Sequence, residues 1–234
     1  MSGDQSVEFI KIMKNFTIYA ERDCGTKYTE KIIKEIFDID ITLDYGWKHF
    51  FGRFDEKIKQ SNDTIFIGIT RNPYDWIMAL FKHKHHLTFE MGNDIEKYLT
   101  QEWYSIEYQY GEWYQQKKPS NTPSELLSDR YWVDETRHKN IFQMRNRKML
   151  YLYDMPKLTQ NYIHIRFEDL MKNPDLIVQK ISDKFNLAVL SKGYDNPHKK
   201  EPYSISDHIK NIIDKNIEWK TEELFSYYKN QRIY

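Results

Sequence analysis

The chain has 234 residues, 40% of them hydrophobic, which fits one domain with a buried core and lies far from a disordered composition. Lysine plus arginine (35) balances aspartate plus glutamate (35), which argues against nucleic-acid binding through a broad basic surface while leaving room for a local basic pocket. The single cysteine, Cys24, excludes an internal disulfide framework; no apolar run reaches membrane-span length and residues 1–5 carry no signal-peptide core, so a soluble cytoplasmic protein without a membrane span is expected.

In chain order, an apolar run at 16–20 predicts a strand. It meets a polar turn, Glu21-Arg22-Asp23-Cys24-Gly25-Thr26, and a helical pattern at 26–37 follows, with Ile32, Ile33, Ile36 and Phe37 on one face. Strand, glycine turn and helix start make an anion site from backbone, because the first N–H groups of a helix lack internal partners and sit at the positive end of its dipole. Strands are expected next at 39–43 and 64–70; the near-continuous apolar run of the latter predicts a central strand covered on both faces. A proline-initiated helix is expected at 73–85. Residues 92–137, rich in tryptophan and tyrosine, read as a mostly helical insertion over one sheet edge; covering an acceptor pocket and packing a subdomain are both open readings. A helix at 141–153, a strand at 162–167 and a helix at 174–185 capped by Asn173 complete the pattern. Strands alternating with helices predict a single α/β domain with a mostly parallel sheet, which binds ligands at its strands' carboxyl ends.

Three motifs carry chemistry. The first turn is not a Walker A loop: the upstream glycine is missing and Gly25-Thr26-Lys27 inverts the usual order, which disfavours a nucleoside triphosphate kinase. The second motif, Arg71-Asn72-Pro73-Tyr74-Asp75, places an arginine at a strand's carboxyl end. The third runs Arg166-Phe167-Glu168-Asp169-Leu170, then Asn173-Pro174. In this order they resemble sulfotransferases that use 3′-phosphoadenosine 5′-phosphosulfate, over about residues 16–187 apart from the insertion. The resemblance implies a P-loop NTPase-like sulfotransferase fold with a central, mostly parallel sheet flanked by helices. It implies transfer of a sulfuryl group to a hydroxyl or amine of a small-molecule or carbohydrate acceptor, leaving 3′-phosphoadenosine 5′-phosphate, with no metal.

The same resemblance implies residue roles. Cys24, Gly25, Thr26 and Lys27 would hold the 5′-phosphosulfate, Tyr28 would stack on adenine, and Arg71 would bind the 3′-phosphate. His49 would be the general base, Lys48 would stabilise charge on the transferring group, and Arg22 would supply the loop's charge. Two positions depart from the family. Asp23 stands where a basic residue is usual, so its carboxylate is expected to point away or cap the helix. Ala79 stands where a serine usually meets the 3′-phosphate, a loss of about 1.5–3 kcal/mol unless Lys82 or His83 replaces that contact. His198-Lys199-Lys200 is the candidate late basic loop.

Plainer readings compete elsewhere. The histidines at 83, 85 and 86 alternate with lysines that repel a metal cation. A helix N-terminus favours a reactive thiolate at Cys24, yet residues 25–29 hold no arginine for a phosphatase-like loop. Glu168 and Asp169, being adjacent, diverge and fit a cap or salt bridge better than a catalytic pair. Two rivals stay open: a phosphotransferase on a related scaffold, distinguished by magnesium-dependent ATP turnover, and a non-catalytic nucleotide-binding module of the same fold.

Overall fold

Four parallel strands form the centre of the computed structural model, which describes residues 12–83, 93–106, 125–190 and 202–231. They are β1 (Asn15–Ala20), β2 (Asp40–Ile41), β3 (Thr64–Thr70) and β4 (Tyr162–Arg166), in spatial order β2-β1-β3-β4. The helices described are α1 (Thr26–Phe37), α2 (Asp55–Gln60), α3 (Pro73–His83), α4 (Ile95–Thr100), α5 (Ile141–Leu158), α6 (Phe167–Lys172), α7 (Pro174–Phe185), α8 (Asp207–Asn216) and α9 (Trp219–Glu223). The chain is thus α/β, with an all-parallel sheet flanked by helices. Among the described residues no helix is long and apolar enough to cross a membrane.

β3 is central because all seven of its residues are buried, and its β-branched run suits a strand covered on both faces. Alternation divides its side chains: Ile65, Ile67 and Ile69 enter one core with Ile18 of β1, whereas Phe66 and Tyr19 enter a second. The first core also takes Ile32, Ile33 and Ile36 of α1 and Ile177 and Ile181 of α7; the second takes Ile58 of α2 and Met149, Leu152 and Met155 of α5. Burying each such side chain stabilises the fold by about 1.5–3 kcal/mol. Gly68 has a packing reason, since a Cβ there would run into the Tyr162 side chain of β4.

Boundaries differ from expectation where burial and pairing decide them. The strand expected at 39–43 shrinks to two residues, because pairing stops at Phe16↔Ile41 and Leu43 is exposed. α5 runs five residues past 153, since Met155 is fully buried and its carbonyl accepts from Thr159 N–H at the C-cap. Phe167 opens α6 instead of closing β4. In the 92–137 segment the described parts are α4, a 3₁₀ turn at Leu127–Asp129 and the bridges Trp103↔His138 and Ile106↔Glu125. Tyr108, Tyr110, Trp113 and Tyr114 lie outside the described residues.

Candidate functional site

The parallel register pairs Ala20 with Ile69 and Thr70 with Arg166, so the chains leaving β1, β3 and β4 emerge side by side. All three sequence motifs therefore meet at the carboxyl edge of the sheet. The first motif turns through two left-handed residues, Asp23 (φ 62°) and Gly25 (φ 80°), before α1 begins. α1 has no side-chain cap and no acidic residue in its first turn, so nothing of its own neutralises its positive end. Gly25 is required twice over: its φ disfavours other residues, and a Cβ would stand 2.5 Å from Cδ2 of Phe167.

Hydrogen bonds from the neighbouring motif fix the turn. The Trp76 indole N–H donates to the Arg22 carbonyl at 3.0 Å, and Nη1 of Arg71 donates to the Asp23 carbonyl at 2.8 Å. The Asp23 carboxylate accepts from Nδ1 of His83 at 2.8 Å. It thus points along α3 and does not cap α1. Thr26 is buried at the first helical position, Lys27 is exposed, and Tyr28 packs partly against the first core. Cys24 is buried, and burial pushes its thiol up despite Arg145 and Arg71 nearby, so the position at the helix start does not make it a thiolate.

Arg71 lies with its guanidinium 4.5 Å from the centroid of the Phe167 ring and 6.0 Å from that of Tyr203. The Lys82 ammonium is 5.8 Å from the same Tyr203 ring. Nε of Arg71 is buried and has no hydrogen-bond partner among the described residues. Ala79 is fully buried in α3. Of the two groups expected to compensate it, His83 holds Asp23 and Lys82 flanks Tyr203.

His49 is buried beside the end of β1, where its Nδ1–H donates to the Ala20 carbonyl at 2.6 Å. That bond sets the tautomer and leaves Nε2 as the acceptor nitrogen, the form a general base needs. Burial, then the Arg22 guanidinium, holds the imidazole well below its ordinary value, so the ring is neutral. Lys48 pairs with Glu30 of α1 at 2.7 Å.

Arg22 does not reach over the turn. Its guanidinium is buried, 3.0 Å from Asp129, 3.8 Å from Glu21 and 5.5 Å from the Trp47 ring centroid. Lys148 of α5 joins them, contacting Glu21, Asp129 at 2.7 Å and the His49 carbonyl at 3.0 Å. Ser105 donates to Asp129 as well. Two cations and two carboxylates neutralise one another here; burial opposes the Asp129 charge, but Arg22 and Lys148 outweigh it and hold that carboxyl below its usual range. Nε and Nη2 of Arg22 have no partner among the described residues.

A second polar network backs Arg71. Glu168 accepts from the Asn72 N–H at 2.7 Å and from the Tyr227 hydroxyl at 3.0 Å. With Tyr227 donating to Glu168, Thr70 donates to Tyr227 and His164 Nε2–H donates to Thr70. Burial pushes the Glu168 carboxyl up, and these donors pull it back. On the other side, Arg145 forks onto Glu222 at 2.5 and 2.7 Å.

Sequence reasoning singled out none of Trp76, Asp129, Arg145, Lys148, Tyr203, Glu222 and Tyr227. A signal existed for Lys148, a cation four residues after Met144 on the apolar face of α5. His85, His86 and His198-Lys199-Lys200 lie outside the described residues. Among the described residues no group of three or more His, Cys, Asp or Glu is placed to hold a metal ion. No protein-family model matches the chain, and no curated protein matches it either.

Proposed function

We propose that the chain is a sulfotransferase of P-loop-like fold, moving a sulfuryl group from 3′-phosphoadenosine 5′-phosphosulfate to an acceptor hydroxyl or amine. One observation carries this reading. At a single sheet edge, an uncapped helix start opened by left-handed Gly25 stands beside Arg71, whose Nε lacks a partner among the described residues, and beside His49, poised as a neutral acceptor. Two donor sets, the helix start and Arg71, with a base nearby, are what a nucleotide phosphorylated at both its 3′ and 5′ positions would use.

In this reading the backbone of Cys24–Lys27 and the Thr26 hydroxyl bind the 5′ end, Tyr28 lies against the base and Arg71 takes the 3′-phosphate. The donor supplies the sulfuryl group and a phosphate that leaves. Nε2 of His49 accepts the acceptor's proton, while the Ala20 carbonyl keeps the ring oriented. Lys48 is the cation for charge on the group in transfer. Burial, and then the inward-turned Arg22, lowers the proton affinity of His49 and keeps the ring in the neutral form that accepts a proton.

A second reading, a binding module of the same fold without transfer, is favoured by one observation: Lys48 and Arg22 are both engaged by internal carboxylates. Calorimetry with 3′-phosphoadenosine 5′-phosphate tests the site common to both, and no binding at high micromolar concentration sinks them together. If it binds, His49→Ala should abolish transfer with nucleotide affinity nearly intact. A wild-type chain that binds the nucleotide and transfers to no hydroxyl or amine acceptor selects the binding module.

A further inference from the structure

One peptide unit in the site is gripped at both poles. The Arg71 carbonyl accepts from Nη2 of Arg145 at 2.8 Å, and the N–H of the same peptide, that of Asn72, donates to Glu168 at 2.7 Å. Each arm ends on one late segment of the chain. Arg145 is forked onto Glu222, and Glu168 is held by Tyr227. A third contact comes from further along, where the Asn72 side-chain amide donates to the Gln231 carbonyl at 3.1 Å. Asn72, Arg145, Glu222 and Tyr227 are all 3% exposed or less.

A peptide plane held at its carbonyl and its N–H cannot rotate about its flanking dihedrals, so the direction in which Arg71 leaves the backbone is set. Helix geometry alone does not do this: Arg71 precedes α3, outside its hydrogen-bond ladder. We propose that residues 222–231 form a positioning strap for Arg71, with Glu222 and Tyr227 as positioning residues that act through Arg145 and Glu168. This rests on the reading that Arg71 binds the 3′-phosphate. The strap then sets discrimination between nucleotides that carry a 3′-phosphate and those that do not. Its residues touch neither phosphate; their effect passes through one backbone unit. Tyr227 also bonds Thr70, the last residue of β3, so the strap reads the strand end and the turn after it as one body.

The test is Tyr227→Phe, which removes one hydroxyl from a buried ring, with Tyr228→Phe as the exposed neighbour control and Glu222→Gln as the second arm. Affinity is measured for 3′-phosphoadenosine 5′-phosphate and for adenosine 5′-phosphate. Loss of one ordinary hydrogen bond's worth of support behind Arg71 should weaken the first by about three- to tenfold and the second by less than about twofold. Tyr228→Phe should change neither. Equal weakening of both nucleotides, or no weakening, overturns the strap. If the wild-type chain does not prefer the 3′-phosphorylated nucleotide, the role given to Arg71 fails instead. Hydrogen exchange at the Asn72 amide then decides the strap alone: faster exchange in Tyr227→Phe than in Tyr228→Phe supports it, and equal rates refute it.

Discussion

Gly25→Ala perturbs the turn at its tightest point. Two effects add. A Cβ at φ 80° occupies the left-handed region, which costs an L-residue about 1–2 kcal/mol. That Cβ also stands 2.5 Å from Cδ2 and 2.6 Å from Cε2 of Phe167, a ring that cannot simply swing away because Arg71 lies over it. Overpacking of this kind costs about 1–3 kcal/mol. The expected loss is therefore about 2–5 kcal/mol, the sum of those two ranges, out of the 5–15 kcal/mol typical of a domain. Urea unfolding followed by circular dichroism measures it. A double-mutant cycle separates the parts: in a Phe167→Ala background the clash is gone and the backbone strain remains, so a coupling of about 1–3 kcal/mol should appear. A Gly25→Ala midpoint equal to that of wild type at equal slope would falsify the geometry of the turn. A large loss with zero coupling would leave the strain in place but remove Phe167 as the obstacle.

Burial lowers His164 to about 4 and His138 to about 3. The unfolded chain then binds more protons than the folded one below the ordinary histidine range, so stability falls as pH drops from about 6.5 towards 5, by up to about 1.4 kcal/mol per pH unit for each ring. Glu168, raised by burial, acts in the opposite sense, so the slope is read as the difference between wild type and His164→Gln; identical pH profiles refute the assignment. Lys148→Met leaves Glu21 and Asp129 facing Arg22 alone and should destabilise by about 3–5 kcal/mol in chemical unfolding. Adding Glu21→Gln restores charge balance and should recover part of that loss, and a further loss would contradict the neutral four-charge cluster. The buried Cys24 thiol should react with a disulfide reagent only as fast as the chain opens; rapid labelling under native conditions would place it at the surface. In titration by nuclear magnetic resonance, His49 of the free chain should protonate well below the ordinary histidine range, because burial and then Arg22 disfavour its charged form, and should shift upward with 3′-phosphoadenosine 5′-phosphate bound. Protonation near 6.5 without nucleotide would mean the ring is not buried against Arg22.

Local chemistry made much of the fold readable. The β-branched run of β3 and the four-residue spacings of α1 and α7 record burial directly, and the predicted bounds 64–70, 26–37 and 174–185 match the observed elements. Short helices escaped notice because six residues carry too little period to separate from a turn: α2 buries only Ile58, and α6 follows β4 without a break. At the site, backbone features were legible, since glycine and proline declare a turn and a helix start. Side-chain directions were not. Nothing local to Arg22 says that it turns inward, because its partner Asp129 lies 107 residues away in sequence. Glu222 and Tyr227 escaped for the same reason: pairing across the fold depends on topology, which places β4 beside β3 and thereby brings α5, α9 and residues 222–231 behind Arg71.

The clamp on the Arg71–Asn72 peptide also imposes an order in time. The residues of β1, α1 and β3 have all been made at residue 70, and the contacts of Arg71 and Trp76 with the turn at Gly25 follow within six residues. β4, which pairs Phe66 with Tyr162, closes a much longer loop and must come later. The two arms that orient Arg71 close only when Glu222 and Tyr227 have emerged. A chain still in synthesis therefore holds the residues of the turn before it can hold the Arg71–Asn72 peptide at both poles.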